Sequence, residues 1–271
     1  MKFPALLFAL ATLGLCSNVG AATLTLDTPC PIGASELPPG FRGHSPTEIV
    51  RALNNFNSKR GEYETEAMYA ARIKKKSASL PATLTNGPLC VTARYFDGEY
   101  TKYDPDTQTL WVYLFPVMPY QWSSGVTVDT GLEIYVSKQR EKKTSYTGSN
   151  AFGVRARIAK TESWTTYLSF NFNKVKPKLK SMGAEVLAPI YVAIPIALSI
   201  PEAKAMDGEI RVAYVFKPRE PFVKADEYYK SPELNSPTET ENHKTVIVST
   251  LLGFIVFDTR SGKVIKNIQL N

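Results

Sequence analysis

The chain has 271 residues, 44% of them hydrophobic, and a formal net charge of +7. That apolar content supports a packed core and excludes a disordered polymer. The positive excess is spread over many Lys and Arg, with no basic tail or stripe in the sequence, so nucleic acid is not the expected partner.

The first residues read as an address. Met1-Lys2 is a short positive start, Phe3 to Leu15 is an apolar run, and Val19-Gly20-Ala21 places small residues where a signal peptidase cuts. The run is too short to remain as a membrane anchor. The expected organisation is a signal peptide over 1–21, a Pro/Gly-rich leader over 22–46 and one globular domain over 47–271. Leu13-Gly14-Leu15-Cys16 also resembles a lipoprotein box, with Cys16 as the lipidated residue. Leu15 stands where a small residue is usual, so cleavage after Ala21 and a soluble periplasmic or secreted product is the preferred expectation.

Without Cys16, the cysteines are Cys30 and Cys90. An even pair in an oxidising compartment implies a disulfide. Closing that loop stabilises by up to ~4 kcal/mol in the chain-entropy treatment. It would pin the Pro-rich segment to the first strand.

Ser45-Pro46-Thr47-Glu48 is a capping box with Pro at the first helical position, followed by Ile49, Leu53 and Phe56 at helical spacing. A second helix is expected from about Thr65 to Lys75, with Tyr69 and Ile73 on one side. Glu62, Glu64 and Glu66 at its start and Lys74, Lys75 and Lys76 at its end suit the helix dipole.

From Leu89 the pattern turns to strands. Leu89–Tyr95 and Glu99–Tyr103 flank Asp97-Gly98, a hairpin signal. Asp104-Pro105-Asp106 is a further turn before Thr109–Phe115, where Trp111, Tyr113 and Phe115 are expected in the core. Leu132–Val136, Val154–Ile158, Trp164–Phe172, Ile210–Phe216, Val246–Val248, Phe254–Phe257 and Val264–Leu270 complete the strands. Val186–Ile200 is read as buried or edge strands bulged at its prolines, with a helical turn or two over Pro201–Met206. Pro218–Asn242 is read as a long surface loop. The fold class is α+β with β dominant: two short N-terminal helices followed by a mostly antiparallel sheet.

Asp97, Glu99, Asp104 and Asp106 do not follow a calcium-loop spacing and read as turn residues. Tyr120 and Trp122, set beyond Pro116 and Pro119, are candidates for an exposed contact. Searches for nucleophile elbows, zinc-protease helices and phosphate loops find nothing. The two histidines, His44 and His243, lie in segments that read as flexible, a poor base for catalysis. No cofactor and no metal is expected.

Lys59-Arg60-Gly61-Glu62-Tyr63-Glu64-Thr65, continuing through Glu66 and Tyr69 to Arg72-Ile73, resembles a phrase of uncharacterised secreted Gram-negative proteins, K-G-E-[FY]-E-T. Tyr103–Gln108 and Ser149–Val154 are similar to later segments of the same proteins. The resemblance implies an envelope location and an α+β fold, and it brings no catalytic residue. In this chain the phrase is expected to be architectural. Gly61 would take a positive φ or a close backbone approach, Tyr63 would bury its ring, and Glu62, Glu64 and Thr65 would satisfy amides at the helix start. The favoured function is binding or structural, with an unknown envelope protein or polymer as partner. A carboxylate-dependent hydrolase of an envelope polymer and an outer-membrane lipoprotein scaffold stay open as alternatives.

Overall fold

The computed structural model describes residues 22–54, 60–78, 80–85, 87–93, 101–114, 131–149, 153–186, 192–206, 210–233 and 235–270. In chain order the elements are β1 (Thr23–Leu24), β2 (Gly43–His44), α1 (Pro46–Asn54), α2 (Glu66–Ser77), α3 (Ala82–Thr85), β3 (Leu89–Thr92), β4 (Thr101–Asp104) and β5 (Thr109–Tyr113). Then follow β6 (Gly131–Ser149), β7 (Arg155–Asn171), α4 (Phe172–Ser181), β8 (Glu185–Val186), β9 (Val192–Ala197), α5 (Ile200–Ala205), β10 (Ile210–Lys230), β11 (Thr238–Asp258) and β12 (Val264–Gln269). The fold is α+β and dominated by sheet. Its helices are not confined to the N-terminal part, and β1 and β2 precede the first of them.

The large sheet runs β1-β2-β3-β10-β11-β7-β6, with β12 also paired to β11, and a small sheet runs β4-β5-β9-β8. Most pairings are antiparallel, but β11 runs parallel to β7 from Thr238↔Ala159 to Val248↔Ser169. One face of the large sheet shares an apolar cluster with α1, α4 and the small sheet, including Ile49, Leu53, Val175, Leu179, Leu110, Val112, Ile194, Phe216 and Phe254. On the opposite face Ala213, Val215, Ile255 and Phe257 pack with Cys30, Leu37, Phe41 and Cys90 of the N-terminal segment and β3.

The Pro/Gly-rich segment is therefore packed chain. The Cys30–Cys90 disulfide forms with Cα atoms 5.5 Å apart, as expected. His44, buried between these parts, accepts from the Cys90 amide at Nδ1 (3.0 Å) and faces the Thr28 carbonyl with Nε2 (2.8 Å). A neutral ring with its proton on Nε2 satisfies both contacts. The flexible setting expected for His44 is thus corrected: it is a structural histidine.

Caps explain the helix starts. Ser45 accepts the Glu48 amide at 3.4 Å and Pro46 opens α1, while the Glu48 carboxylate turns to Arg51. Thr65 caps α2 by accepting the Met68 amide at 3.2 Å. Ser199 and Glu202 form a reciprocal capping box on α5. α4 was not expected. Asn171 ends β7 and caps it, and Phe172, Val175 and Leu179 form its buried stripe.

Four strand expectations need correction. Leu89–Thr92 pairs with β10, and Thr101–Asp104 pairs with β5 in the other sheet, so the two do not form a hairpin. Asp97, Gly98 and Glu99 lie outside the described residues. In β5 the buried side chains are Leu110 and Val112, followed by Leu114, while Trp111 and Tyr113 are half-buried on the other side. The register of β5 and β9 runs unbroken through Trp111↔Pro195, with no bulge. β8 pairs only Val192 and Ala193, so a missing N–H at Pro195 breaks no contact with it. Finally, most of the expected loop 218–242 is strand. β10 and β11 are each 21 residues long, and their pairing continues past a bulge at Pro218/Val223 to Lys230↔Thr240. Phe222, with φ 42°, sits in that bulge.

Candidate functional site: a four-stranded polar platform

The outer halves of β10, β11, β7 and β6 extend beyond both apolar cores. They form a platform in that strand order. Register places side chains in rows across one of its faces. Arg140, Trp164, His243 and Glu227 are cross-strand partners in sequence, and the next row is Lys142, Glu162, Glu241 and Tyr229. Beyond it come Thr144, Lys160 and Glu239.

In the first row the indole of Trp164 is sandwiched. The His243 ring stacks on it at 4.9 Å and 16°, and the Arg140 guanidinium lies 4.9 Å from its centroid. Such cross-strand stacking and cation–π contacts order a solvated sheet that has no core beneath it. His243 Nε2 lies 3.3 Å from Glu162 and 3.2 Å from Glu241, and Nδ1 lies 3.3 Å from Glu227. The expectation of a flexible His243 is corrected: it sits in a central strand, held from three sides. One oxygen each of Glu162 and Glu241 and one nitrogen of His243 lie within 4.8 Å of one another.

Lys160 bridges Glu239 and Glu241, each at 2.8 Å, and Tyr146 donates to Glu239 at 2.6 Å. These bonds raise the Lys160 ammonium, chiefly through Glu239, and lower both carboxylates, chiefly through Lys160. On the other face Asn242, buried on β11, accepts from Thr165 at 2.9 Å and Ser163 at 3.2 Å. Lys244 pairs with Glu133 and lies over the Tyr167 ring.

The outer strands are basic. Lys138, Arg140, Lys142 and Lys143 on β6 and Arg155 and Arg157 on β7 are exposed, and the acid among 138–149, Glu141, is bridged to Lys138 and Lys143. The chain matches no protein-family model, no curated protein and no solved structure.

The other candidate residues lie elsewhere. Tyr120 and Trp122 are outside the described residues. In the phrase around α2, Glu64 accepts from Arg72 at 2.7 and 2.8 Å and from the Gly61 amide at 3.0 Å. Those bonds, the Arg72 pair first, hold its carboxyl down at about 2. Glu62 is exposed, and Thr65 is the cap already described. Two expectations fail. Tyr63 is 91% exposed, so its ring is not buried against the sheet. Gly61 is not among the glycines with positive φ, and a Cβ there would meet only the Glu64 side chain at 3.6 Å or beyond. The phrase is a turn closed by the Glu64 carboxylate.

The acids of the small sheet are also engaged in structure. Asp104 accepts from Thr107 at 2.8 Å and the Asp106 amide at 3.0 Å, which lowers its carboxyl, and Gln108 takes φ 48°. An open concavity of about 500 Å³ lies beside this turn, lined by Asp106, Gln108, Ser199 and Glu202. Glu202 is lowered by its bonds to Ser199. No helix among the described residues is long and apolar enough to cross a membrane.

Proposed function

We propose that this is an exported, disulfide-stabilised binding protein of the cell envelope, without catalytic role, that takes an anionic envelope polymer along the basic outer strands of its platform. The observation that carries this is the set of exposed cations on these strands, Lys138, Lys143, Arg155 and Arg157 on one face and Arg140 and Lys142 on the other, with Glu141 the acid among 138–149. Lysines on an edge strand also block unwanted strand addition. Arg155 and Arg157 precede the pairing of β7 with β11, which begins at Ala159, and both are exposed and open to a ligand. Export is supported by the signal-like N-terminus and by the disulfide.

A hydrolase would need a carboxylic acid kept protonated near neutral pH. Glu64, Asp104, Glu202, Glu239 and Glu241 are all shifted the opposite way by donors around them. This favours binding over hydrolysis.

The test uses the mature protein with dextran sulfate, neutral dextran and duplex DNA in sedimentation and calorimetry. Binding to dextran sulfate, weakened by salt and lost in Lys142→Glu/Lys143→Glu/Arg157→Glu, is expected. Equal binding by that variant, or tighter binding to DNA, would overturn the proposal. N-terminal mass analysis of native protein is expected to show a start at Ala22; an acylated Cys16 would replace the soluble assignment with an anchored one.

A further inference from the structure

We infer that Glu162, Glu241 and His243 form a binding site for one zinc-class divalent cation, held across the parallel seam between β7 and β11. The inference goes beyond polymer binding and does not rest on it. His243 Nε2 has two carboxylate oxygens as neighbours, Glu162 Oε1 at 3.3 Å and Glu241 Oε1 at 3.2 Å. One ring nitrogen carries at most one proton, which points at one acceptor. Both contacts are also longer than the usual ~2.9 Å of an N–H···O bond. A tetrahedral ion with bonds of about 2.0–2.1 Å sets its ligands about 3.3 Å apart, the spacing found here. It would engage all three side chains together; the three donor atoms lie within 4.8 Å of one another.

The surrounding groups are those of a metal centre. Glu227 faces Nδ1 at 3.3 Å, so with Nε2 as ligand the Nδ1 proton goes to a carboxylate, the usual support of a metal-bound imidazole. Lys160 holds the second oxygen of Glu241 at 2.8 Å and so aims the first at His243. The Trp164 ring fixes the imidazole plane. Glu162, Glu227, Glu239 and Glu241 carry four formal negative charges here, against Lys160 within their contacts and Lys142 opposite Glu162. An imidazole among the ligands selects zinc over calcium or magnesium. The ligands are about three-quarters buried, with exposures of 22%, 28% and 25%, so solvent reaches the fourth position.

The experiment titrates untagged, EDTA-stripped mature protein with zinc chloride by calorimetry and follows the thermal midpoint. One zinc per chain and a raised midpoint are expected. His243→Ala and Glu162→Gln/Glu241→Gln should abolish both effects, and Glu227→Gln should weaken binding by about 10- to 100-fold. Circular dichroism and the zinc-free midpoint of each variant establish folding; should His243→Ala not fold, the double carboxamide variant decides. Wild-type protein that takes up no zinc, zinc bound equally well by the folded variants, or displacement of zinc by millimolar calcium would each overturn the inference.

Discussion

The inner and outer halves of the four long strands share one hydrogen-bond ladder but are held together differently. In the inner half of β11, Val248, Phe254, Val256 and Phe257 are fully or almost fully buried, with apolar neighbours on both faces of the sheet. In the outer half, His243 and Glu241 are half-buried and the stabilising contacts are rings, guanidinium groups and ion pairs. Burial of apolar area is worth several kcal/mol per large side chain, whereas a cross-strand pair contributes roughly 0.2–1 kcal/mol. A sheet can therefore be extended past its core at little gain in stability, which frees the extension for other work.

Truncation on each half gives the largest contrast. Phe254→Ala should cost about 3–5 kcal/mol, because the cavity opens inside the main cluster. Trp164→Ala should cost about 1–2 kcal/mol, and urea denaturation of the two variants side by side measures the gap. Equal losses would mean that the platform has a core of its own.

The disulfide should rank next. Cys30 and Cys90 are 60 residues apart, and removing the bond by Cys30→Ala/Cys90→Ala is expected to cost up to about 4 kcal/mol. The thermal midpoint should fall accordingly, while the polymer and zinc responses of folded protein stay unchanged, because the bond lies on the inner half.

Glycine substitutions separate a required position from a tolerant one. Gly262 has φ 77°, and a Cβ there would collide with the Leu37 carbonyl oxygen, so Gly262→Ala should cost about 1–3 kcal/mol. Gly61→Ala should stay within about 0.5 kcal/mol. Reversal of that order would restore the architectural role first expected of Gly61.

The smallest effect concerns acid. Glu64 is held at about 2, below its ordinary 4.5, by Arg72 and the Gly61 amide. A depressed folded value means that its contribution is fully present above pH 4.5 and is lost as pH falls toward 2. Urea midpoints from pH 6 to pH 2 should therefore fall slightly less steeply in Glu64→Gln than in wild type. The difference is expected to be small because the pair is partly solvated.

Legibility in the sequence followed the range of each signal. Caps at Ser45 and Thr65, the Asp104 turn and the final turn at Gly262 are local, and the residue types alone indicated them. The cysteine pair was legible by parity. Leu110 and Val112 were displaced by Trp111 and Tyr113 in the expected core because every position from Leu110 to Tyr113 is apolar or aromatic, so bulk masked the phase. The outer strand halves were unreadable for the opposite reason: largely polar and charged on both faces, they carry no apolar alternation. α4 was hidden by alternating lysines and Pro177 around three apolar residues. The row of Arg140, Trp164, His243 and Glu227 needs four strands in register, and no local pattern encodes that.

The parallel pairing of β7 with β11 also has a kinetic meaning. β6 with β7, and β10 with β11, are antiparallel pairs between neighbouring strands, the second closing at Lys230↔Thr240. The contact of Glu162 with His243 spans 81 residues. Loop closure over that length slows formation, so the two strand pairs should assemble early and the seam should join late. During that interval each pair exposes one unpaired strand edge, of β7 and of β11. The charged side chains on these strands then act as solubilising guards in the nascent chain, before Lys160 and Glu162 have the partners across the seam that they keep in the finished fold.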